Sequence, residues 1–203
     1  MRLFVGLDLP EHVRAALGDL VAHLKSECPK ARWVRPEGMH ITLKFIGEAD
    51  SGKLDPIRAA LETVHSTDPV EVNLRGVGFF PNERRPRAAW CGVEASPNLA
   101  PLATCIERAL EPLGFPAEAR QFVPHLTLAR SNSPDGLEKL PSAVSNLKTQ
   151  EFGAFRASEF HLFQSFLKPS GSEYKRVATF PFVTTEDESG PEKSTTETAK
   201  EDS

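Results

Sequence analysis

A motif of four residues, in the order histidine, aliphatic, threonine, leucine, occurs twice in this chain of 203 residues. It occupies residues 40–43 (His-Ile-Thr-Leu) and returns at residues 125–128 (His-Leu-Thr-Leu). Chance predicts roughly 0.004 such motifs in a chain of this composition, so the repetition is a strong constraint. Alternate side chains of an extended strand share a face. Each copy is therefore predicted to be a strand with an apolar back and a polar front that presents one imidazole and one hydroxyl.

The segments around the motifs follow one order of elements, and the chain runs through that order twice. Hydrophobic periodicity and turn residues predict strands at about 2–8, 39–46, 69–80, 88–94, 121–130, 151–166 and 173–183, and helices at about 10–27, 51–66, 97–113 and 134–147. The motif strand is third in each series. The predicted fold class is α+β, a two-lobed and pseudo-duplicated fold. Two antiparallel sheets would face a central groove with helices on the outside, and the two polar fronts would meet there.

The charge of the chain is distributed unevenly. The formal net charge is −4, but residues 184–203 alone hold seven acidic and two basic side chains, which leaves residues 1–183 at +1. A body of that charge excludes a protein that covers long duplexes, and it suits a small anionic ligand or the end of an RNA chain. No large apolar residue follows Val183, so 184–203 is predicted to be a disordered acidic tail. Residues 1–183 are predicted to form a single bilobal domain.

Composition gives further expectations about location and cofactors. No apolar run approaches the 18 residues of a membrane span, and Asp8 follows the start too closely for a signal peptide. A cytoplasmic monomer without membrane contact is therefore expected. The three cysteines, Cys28, Cys91 and Cys105, are odd in number and lack Cys-x-x-Cys spacing. They predict neither a disulfide framework nor a zinc ribbon, and are expected to be reduced and structural.

Two histidines and two threonines favour chemistry at phosphate. Imidazole gives and takes protons near neutral pH, so a pair across a cleft can act as acid and base in one step. A nearby threonine hydroxyl can donate to a non-bridging phosphate oxygen. A metal site is the rival interpretation, but zinc needs three or four ligands. Neither motif holds a second ligand, and strict alternation puts Lys44 next on the front face. We therefore expect no metal and no cofactor.

The motifs resemble those of the two-histidine (2H) phosphoesterase superfamily. The wider context is similar to one branch, the RNA 2',3'-cyclic phosphodiesterases, also called 2'-5' RNA ligase-like proteins. The stretches that carry the resemblance are residues 32–36, 39–47, 79–81, 84–87, 124–130 and 162–165, with Leu167, Pro169, Gly171 and Tyr174. The resemblance covers most of residues 1–183. It implies two lobes around a groove, no metal, and hydrolysis of 2',3'-cyclic phosphates on nucleosides or RNA ends to 2'-phosphates.

The resemblance also implies a role for each site residue. His40 would be the proton donor to the departing 3'-oxygen, and His125 would be the proton acceptor that activates water. Thr42 and Thr127 would hold the phosphate oxygens. Arg130 would add positive charge beside the transition state.

Strict alternation places two residues that follow the motifs on the face opposite the histidines, and a basic loop lies between the two motifs. Arg130 falls on the face opposite His125, so the strand must end or bulge before it, or the side chain must reach around. Phe45 is offset in the same way and is expected to be a wall or core residue rather than a contact. The basic segment Arg84–Arg87 is predicted to lie in a loop that is either solvated or in contact with RNA.

Three functions remain open on the sequence alone. The first is a cyclic phosphodiesterase, and the second is the reverse reaction, a 2'-5' RNA ligase. The third is a non-catalytic module that binds RNA ends. The presence of both histidines and both threonines favours catalysis, because binding alone has no need of a matched acid and base.

Overall fold

The computed structural model describes residues 1–66, 68–168 and 171–182, and these form nine strands and four α-helices. The strands are β1 Arg2–Leu7, β2 Arg32–Trp33, β3 Ile41–Glu48, β4 Val70–Phe80, β5 Ala88–Ala95, β6 His125–Arg130, β7 Glu151–Ala157, β8 Glu159–Lys168 and β9 Gly171–Pro181. The helices are α1 Glu11–Lys25, α2 Leu54–Glu62, α3 Leu99–Leu110 and α4 Leu140–Ala143. None of these helices combines the length and apolar character that a membrane crossing requires. The predicted tail, 184–203, lies outside the described residues.

Two antiparallel sheets make up the fold, which confirms the predicted α+β class. The first sheet has the order β3-β1-β8-β9, and the second has the order β2-β6-β5-β4-β7. Each sheet contains one motif strand, β3 in the first and β6 in the second. The chain thus places its two His-x-Thr copies on different sheets.

The two repeats exchange their last strands, which the sequence did not predict. β4 belongs to the first repeat but lies in the second sheet, between β5 and β7. β8 belongs to the second repeat but lies in the first sheet, between β1 and β9. The predicted strand region at 151–166 is divided into two strands, because the chain crosses from one sheet to the other at Ser158. Pairing partners, rather than a local break signal, decide that crossing.

The helices bury the apolar stripes that the sequence predicts. The stripe of α1 (Val13, Leu17, Leu20 and Leu24) and that of α3 (Leu99, Leu102, Ile106 and Leu110) are buried throughout. The predicted helix at 134–147 is wrong in extent. Only α4 is α-helical, between the 3₁₀ turns Pro134–Gly136 and Ser145–Leu147. Pro141 lies in the first turn of α4, where a proline is tolerated, but its ring and missing N–H prevent a helix from continuing through it from the preceding turn.

Both motif strands contain a β-bulge directly after the threonine. In the first sheet Thr42 pairs with Gly6 while Lys44 pairs with Val5, which leaves Leu43 as the extra residue. A bulge of this kind shifts the alternation of side chains by one position. Lys44 is therefore buried behind the sheet, and the prediction that it stands on the front face is wrong.

The second motif strand repeats this irregularity. Thr127 pairs with Trp90 and Ala129 pairs with Ala89, so that Leu128 is the extra residue. The shift buries Ala129 and turns Arg130 to the same side as Thr127. On the sequence alone, three explanations were open for Arg130: the strand ends, it bulges, or the side chain reaches around. The structure shows the bulge.

Candidate active site

A groove with a cavity volume of about 530 Å³ lies between the two sheets. Its walls bring together the five side chains that the sequence singled out, namely His40, Thr42, His125, Thr127 and Arg130. The first sheet contributes one histidine and one threonine, and the second sheet contributes the same pair with the arginine. The arrangement can therefore hold a small anion between two imidazoles.

The two imidazoles are oriented in the same way. Nδ1 of His40 donates to the Gly38 carbonyl at 2.8 Å, and Nδ1 of His125 donates to the Val123 carbonyl at 2.9 Å. A carbonyl oxygen can only accept, so each ring carries a proton on Nδ1. Nε2 is then the atom of each ring that exchanges a proton.

The first imidazole lies among aromatic rings. Phe4 stacks on His40 with 4.3 Å between ring centroids, and Tyr174 meets it edge-on at 4.9 Å. Burial lowers the pKa of His40 from 6.5 to about 4, although the Gly38 carbonyl and the Asp8 carboxylate act in the opposite direction. At pH 7 this ring is therefore neutral in the free protein.

The second imidazole is more open. The ring of Phe80 stands perpendicular to His125 with 5.0 Å between centroids, and Phe80 is itself exposed. Val123, whose carbonyl orients His125, has an exposed side chain as well. Both histidines are thus partly buried, but the first is packed against aromatic rings and the second lies beside exposed side chains.

Two arginines face each other at one end of the groove. Arg32 of β2 and Arg130 of β6 are direct cross-strand partners, and both line the cavity. Like charges directly opposite destabilise a sheet, and neither guanidinium forms an ion pair with any residue in the described ranges. An anion between them would relieve this repulsion. Arg130 donates to Oγ1 of Thr127 at 3.3 Å, so the threonine hydroxyl hydrogen is left to donate towards a ligand.

The buried lysine that follows the first motif has a structural role near the site. Nζ of Lys44 lies 3.2 Å from Oε1 of Glu107 and donates to the Pro116 carbonyl at 2.6 Å. Glu107 also accepts the backbone N–H of Glu118 at 3.0 Å. These contacts anchor the segment that leads into Val123, and hence support the carbonyl that orients the second histidine.

Several groove residues were given no role in the site by the sequence analysis, although Arg32, Phe80 and Tyr174 lie in stretches that carry the family resemblance. They are Arg2, Phe4, Arg32 and Tyr174, together with Phe80 beside the second histidine. Phe45 lines the groove as the expected wall residue, and the guanidinium of Arg2 lies 5.0 Å from its ring centroid. The repeated bulge explains Phe45, because it occupies the place in β3 that Arg130 occupies in β6. Contacts between distant strands decide the other positions.

Two sheets that each present a His-x-Thr strand to one groove define a two-histidine phosphoesterase. The family model for LigT-like phosphoesterases matches residues 7–90 and 92–174, one match in each half of the chain. The chain belongs to the LigT-like phosphoesterase family, which confirms the predicted family and enzyme class.

Named relatives and solved structures agree with this assignment. The RNA 2',3'-cyclic phosphodiesterase of Methanothermobacter thermautotrophicus is 35% identical over 181 residues, which covers 89% of this chain and 98% of the relative. The protein of the same name from Methanocaldococcus jannaschii is 35% identical over 177 residues, covering 87% and 98%. A crystal structure from Thermus thermophilus superposes with a TM-score of 0.76 at 30% identity, covering 91% of this chain and all of that one. Escherichia coli LigT complexed with 3'-AMP gives a TM-score of 0.69 at 23% identity, covering 90% and 98%, and shows the fold alone.

Proposed function

We propose that this protein hydrolyses the 2',3'-cyclic phosphate ends of RNA to 2'-phosphates. The observation that carries the proposal is the meeting of two oriented imidazoles, one from each sheet, on a single groove with paired arginines. The name shared by relatives over most of the chain supports the same reaction.

The proposed mechanism needs only side chains of this chain. Thr42, Thr127 and Arg130 hold the non-bridging phosphate oxygens and stabilise the charge of the transition state. His125 takes a proton from water as the water oxygen attacks phosphorus, and the bond between phosphorus and the 3'-oxygen breaks. His40 gives a proton to that 3'-oxygen, so that the product is a 2'-phosphate and a free 3'-hydroxyl. The pair ends with its proton moved from one imidazole to the other.

The lowered pKa of His40 adds a condition to this mechanism. The free enzyme holds this ring neutral at pH 7, so a donor role requires a proton to reach Nε2 when the substrate binds. A phosphate anion beside the ring favours the charged imidazole, and it also offsets the positive charge of Arg130, which depresses the pKa of His40. Substrate binding and protonation are therefore coupled in the proposed cycle.

The pH dependence of kcat/KM tests this coupling. Its acid limb is expected near pH 4 rather than near 6.5, because the buried His40 ring of the free enzyme gains its second ring proton there. Phe4→Leu admits water to the ring and should raise that pKa, which moves the acid limb upward. Rates measured between about pH 4 and 9 for both proteins check this. An acid limb that is identical in the two proteins would contradict the assignment of that limb to His40.

Insensitivity to chelators is a second expectation. In the part of the chain that the structure describes, no three histidine, cysteine or carboxylate side chains gather as a metal site. Hydrolysis of nucleoside 2',3'-cyclic phosphates should therefore continue unchanged in EDTA and give the 2'-phosphate isomer. Loss of activity in EDTA with rescue by zinc or manganese would refute a mechanism without a metal.

The other two functions have distinct outcomes in the same assay. A 2'-5' ligase would join a cyclic phosphate end to a 5'-hydroxyl end when both RNA ends are supplied at high concentration. A binding module would retain the cyclic phosphate and release no product. The monomeric state, the cytoplasmic location and the domain boundary at residue 183 stay predictions.

A further inference from the structure

A row of arginines crosses the end of the second sheet beside the active site. Arg32 on β2 pairs with Arg130 on β6, which pairs with Ala88 at the start of β5. Arg87 directly precedes Ala88, and its carbonyl accepts the N–H of Ser131 at 2.9 Å. Neighbouring strands are about 4.8 Å apart, so the three arginines extend over about 10 Å. The row begins in the groove and leads out of it towards the β4–β5 loop.

The arginines around the groove differ from those elsewhere in their ion pairing. Five arginines that do not line the groove each lie within 4.0 Å of a carboxylate oxygen, and these are Arg14, Arg58, Arg75, Arg156 and Arg176. Within the described ranges no ion pair is formed by those of the groove, the row and the loop, namely Arg2, Arg32, Arg84, Arg85, Arg87, Arg120 and Arg130. Arg108 on α3 also has no such pair among the described residues, so arginines without an ion pair are concentrated around the groove but not confined to it. Guanidinium groups that have no carboxylate partner and are collected on one side of a molecule indicate a polyanionic partner.

The β4–β5 loop holds its arginines on an ordered backbone. Oδ1 of Asn82 accepts the N–H groups of both Arg84 and Arg85 at 3.1 Å, and the N–H of Arg87 donates to the Phe80 carbonyl at 2.7 Å. The carboxylate of the loop, Glu83, lies 3.1 Å from Nζ of Lys148, so its charge is offset. The loop therefore presents positive charge without having to order itself first.

A cavity of about 520 Å³ connects the catalytic groove to this loop. It extends from His125 and Arg130 to Phe80 and Arg87, and Arg120 also lines it. Phe80 is the exposed aromatic ring in this cavity, at the base of the loop. Aromatic rings stack unpaired bases, and nearby arginines bind the phosphates between them. The ring and the arginines thus have the composition of a single-stranded nucleic acid site.

We infer that this surface, formed by Phe80, Arg84, Arg85, Arg87 and Arg120, binds the single-stranded RNA that precedes the cyclic phosphate. The inference rests on the proposed function for the identity of the bound end. It adds where the RNA chain lies on the protein, and it implies that an RNA chain is turned over more efficiently than a mononucleotide. The phosphates of the nucleotides before the cyclic end lie along the row and the loop, and one of their bases stacks on Phe80.

The test compares two substrates in wild-type protein and in the double variant Arg84→Gln/Arg85→Gln. One substrate is cytidine 2',3'-cyclic phosphate, and the other is a single-stranded oligonucleotide with the same cyclic end. The variant should turn over the mononucleotide normally, because neither arginine lines the groove. Its KM for the oligonucleotide should rise about tenfold, as expected for the loss of two exposed charge contacts. The slope of log KM against log salt should also weaken by about 1.4, at roughly 0.7 for each phosphate contact on a single strand.

A matched control and a binding measurement keep the outcomes separate. Arg58→Gln/Arg156→Gln removes the same charge from α2 and β7 and should leave both substrates unaffected. Fluorescence anisotropy with an oligonucleotide that ends in a 2'-phosphate reports binding without turnover. Equal kcat/KM for the two substrates in wild type, or equal anisotropy for wild type and the loop variant, would overturn the RNA surface. Failure of wild type to hydrolyse either substrate would instead reject the proposed reaction, while anisotropy would still decide whether the surface binds RNA.

Discussion

Replacing His40 or His125 with alanine is expected to lower kcat for cyclic phosphate hydrolysis at least about 100-fold. General acid or base catalysis contributes about 10²–10⁴-fold, and each imidazole is the group whose Nε2 exchanges the proton. The double variant should lose far less than the product of the two single losses, because the two residues act as a unit. His23→Ala, which removes an exposed imidazole from α1, is the matched control and should keep full activity. Near wild-type turnover in either single variant would remove that histidine from the chemistry.

A substrate analogue distinguishes the acid from the base. Sulfur in place of the bridging 3'-oxygen leaves as a thiolate, which needs no protonation. His40→Ala should therefore recover most of its activity on this analogue, whereas His125→Ala should not, because water must still be deprotonated. The opposite pattern would exchange the two roles. That outcome deserves a direct test, because burial lowers the pKa of His40 and a neutral ring is also suited to accept a proton.

Removing the hydroxyl of Thr42 or Thr127 is expected to lower kcat about tenfold to a hundredfold. A hydrogen bond to a charged oxygen contributes about 1.5–3 kcal/mol, and valine retains the shape of threonine while losing the donor. Thr127→Val should lower kcat further, because Arg130 also loses the Oγ1 atom to which it donates at 3.3 Å. Steady-state kinetics on cyclic nucleotides measure both changes.

The serine variants serve as positive controls for the hydroxyl itself. Thr42→Ser and Thr127→Ser retain the donor and should keep most of the activity. Thr63→Val removes a hydroxyl that donates to the Ala60 carbonyl at the end of α2 and should leave kcat unchanged. If both groove valine variants have wild-type kinetics, the hydroxyls only fill space on their strands.

The sequence by itself determined the parts of the site that depend on local pattern. A period of two places His40 and Thr42 on one face of a strand, and the second copy does the same with His125 and Thr127. The apolar stripes of α1 and α3 were likewise predictable, because helical periodicity and burial are linked directly. The α+β class and the groove between two sheets follow from the repeated order of these elements.

The tertiary structure alone decided where that local pattern breaks. The bulges at Leu43 and Leu128 turn Phe45 and Arg130 into the groove and bury Lys44, and each bulge exists only relative to the strand that pairs with it. The exchange of β4 and β8 between the sheets depends in the same way on pairing partners distant in the chain.

The environment of His40 also could not be predicted from the local sequence pattern. Phe4 and Tyr174 enclose His40 from β1 and β9, strands that lie at opposite ends of the described chain. These rings bury the His40 imidazole, and this burial, rather than any neighbour in the motif, lowers its pKa. The environment of His40 therefore differs from that of His125. The sequence thus determined which side chains share the candidate site, because residue type and alternation are local. Only the tertiary structure decided how the two histidines differ, because desolvation depends on everything that packs around a side chain.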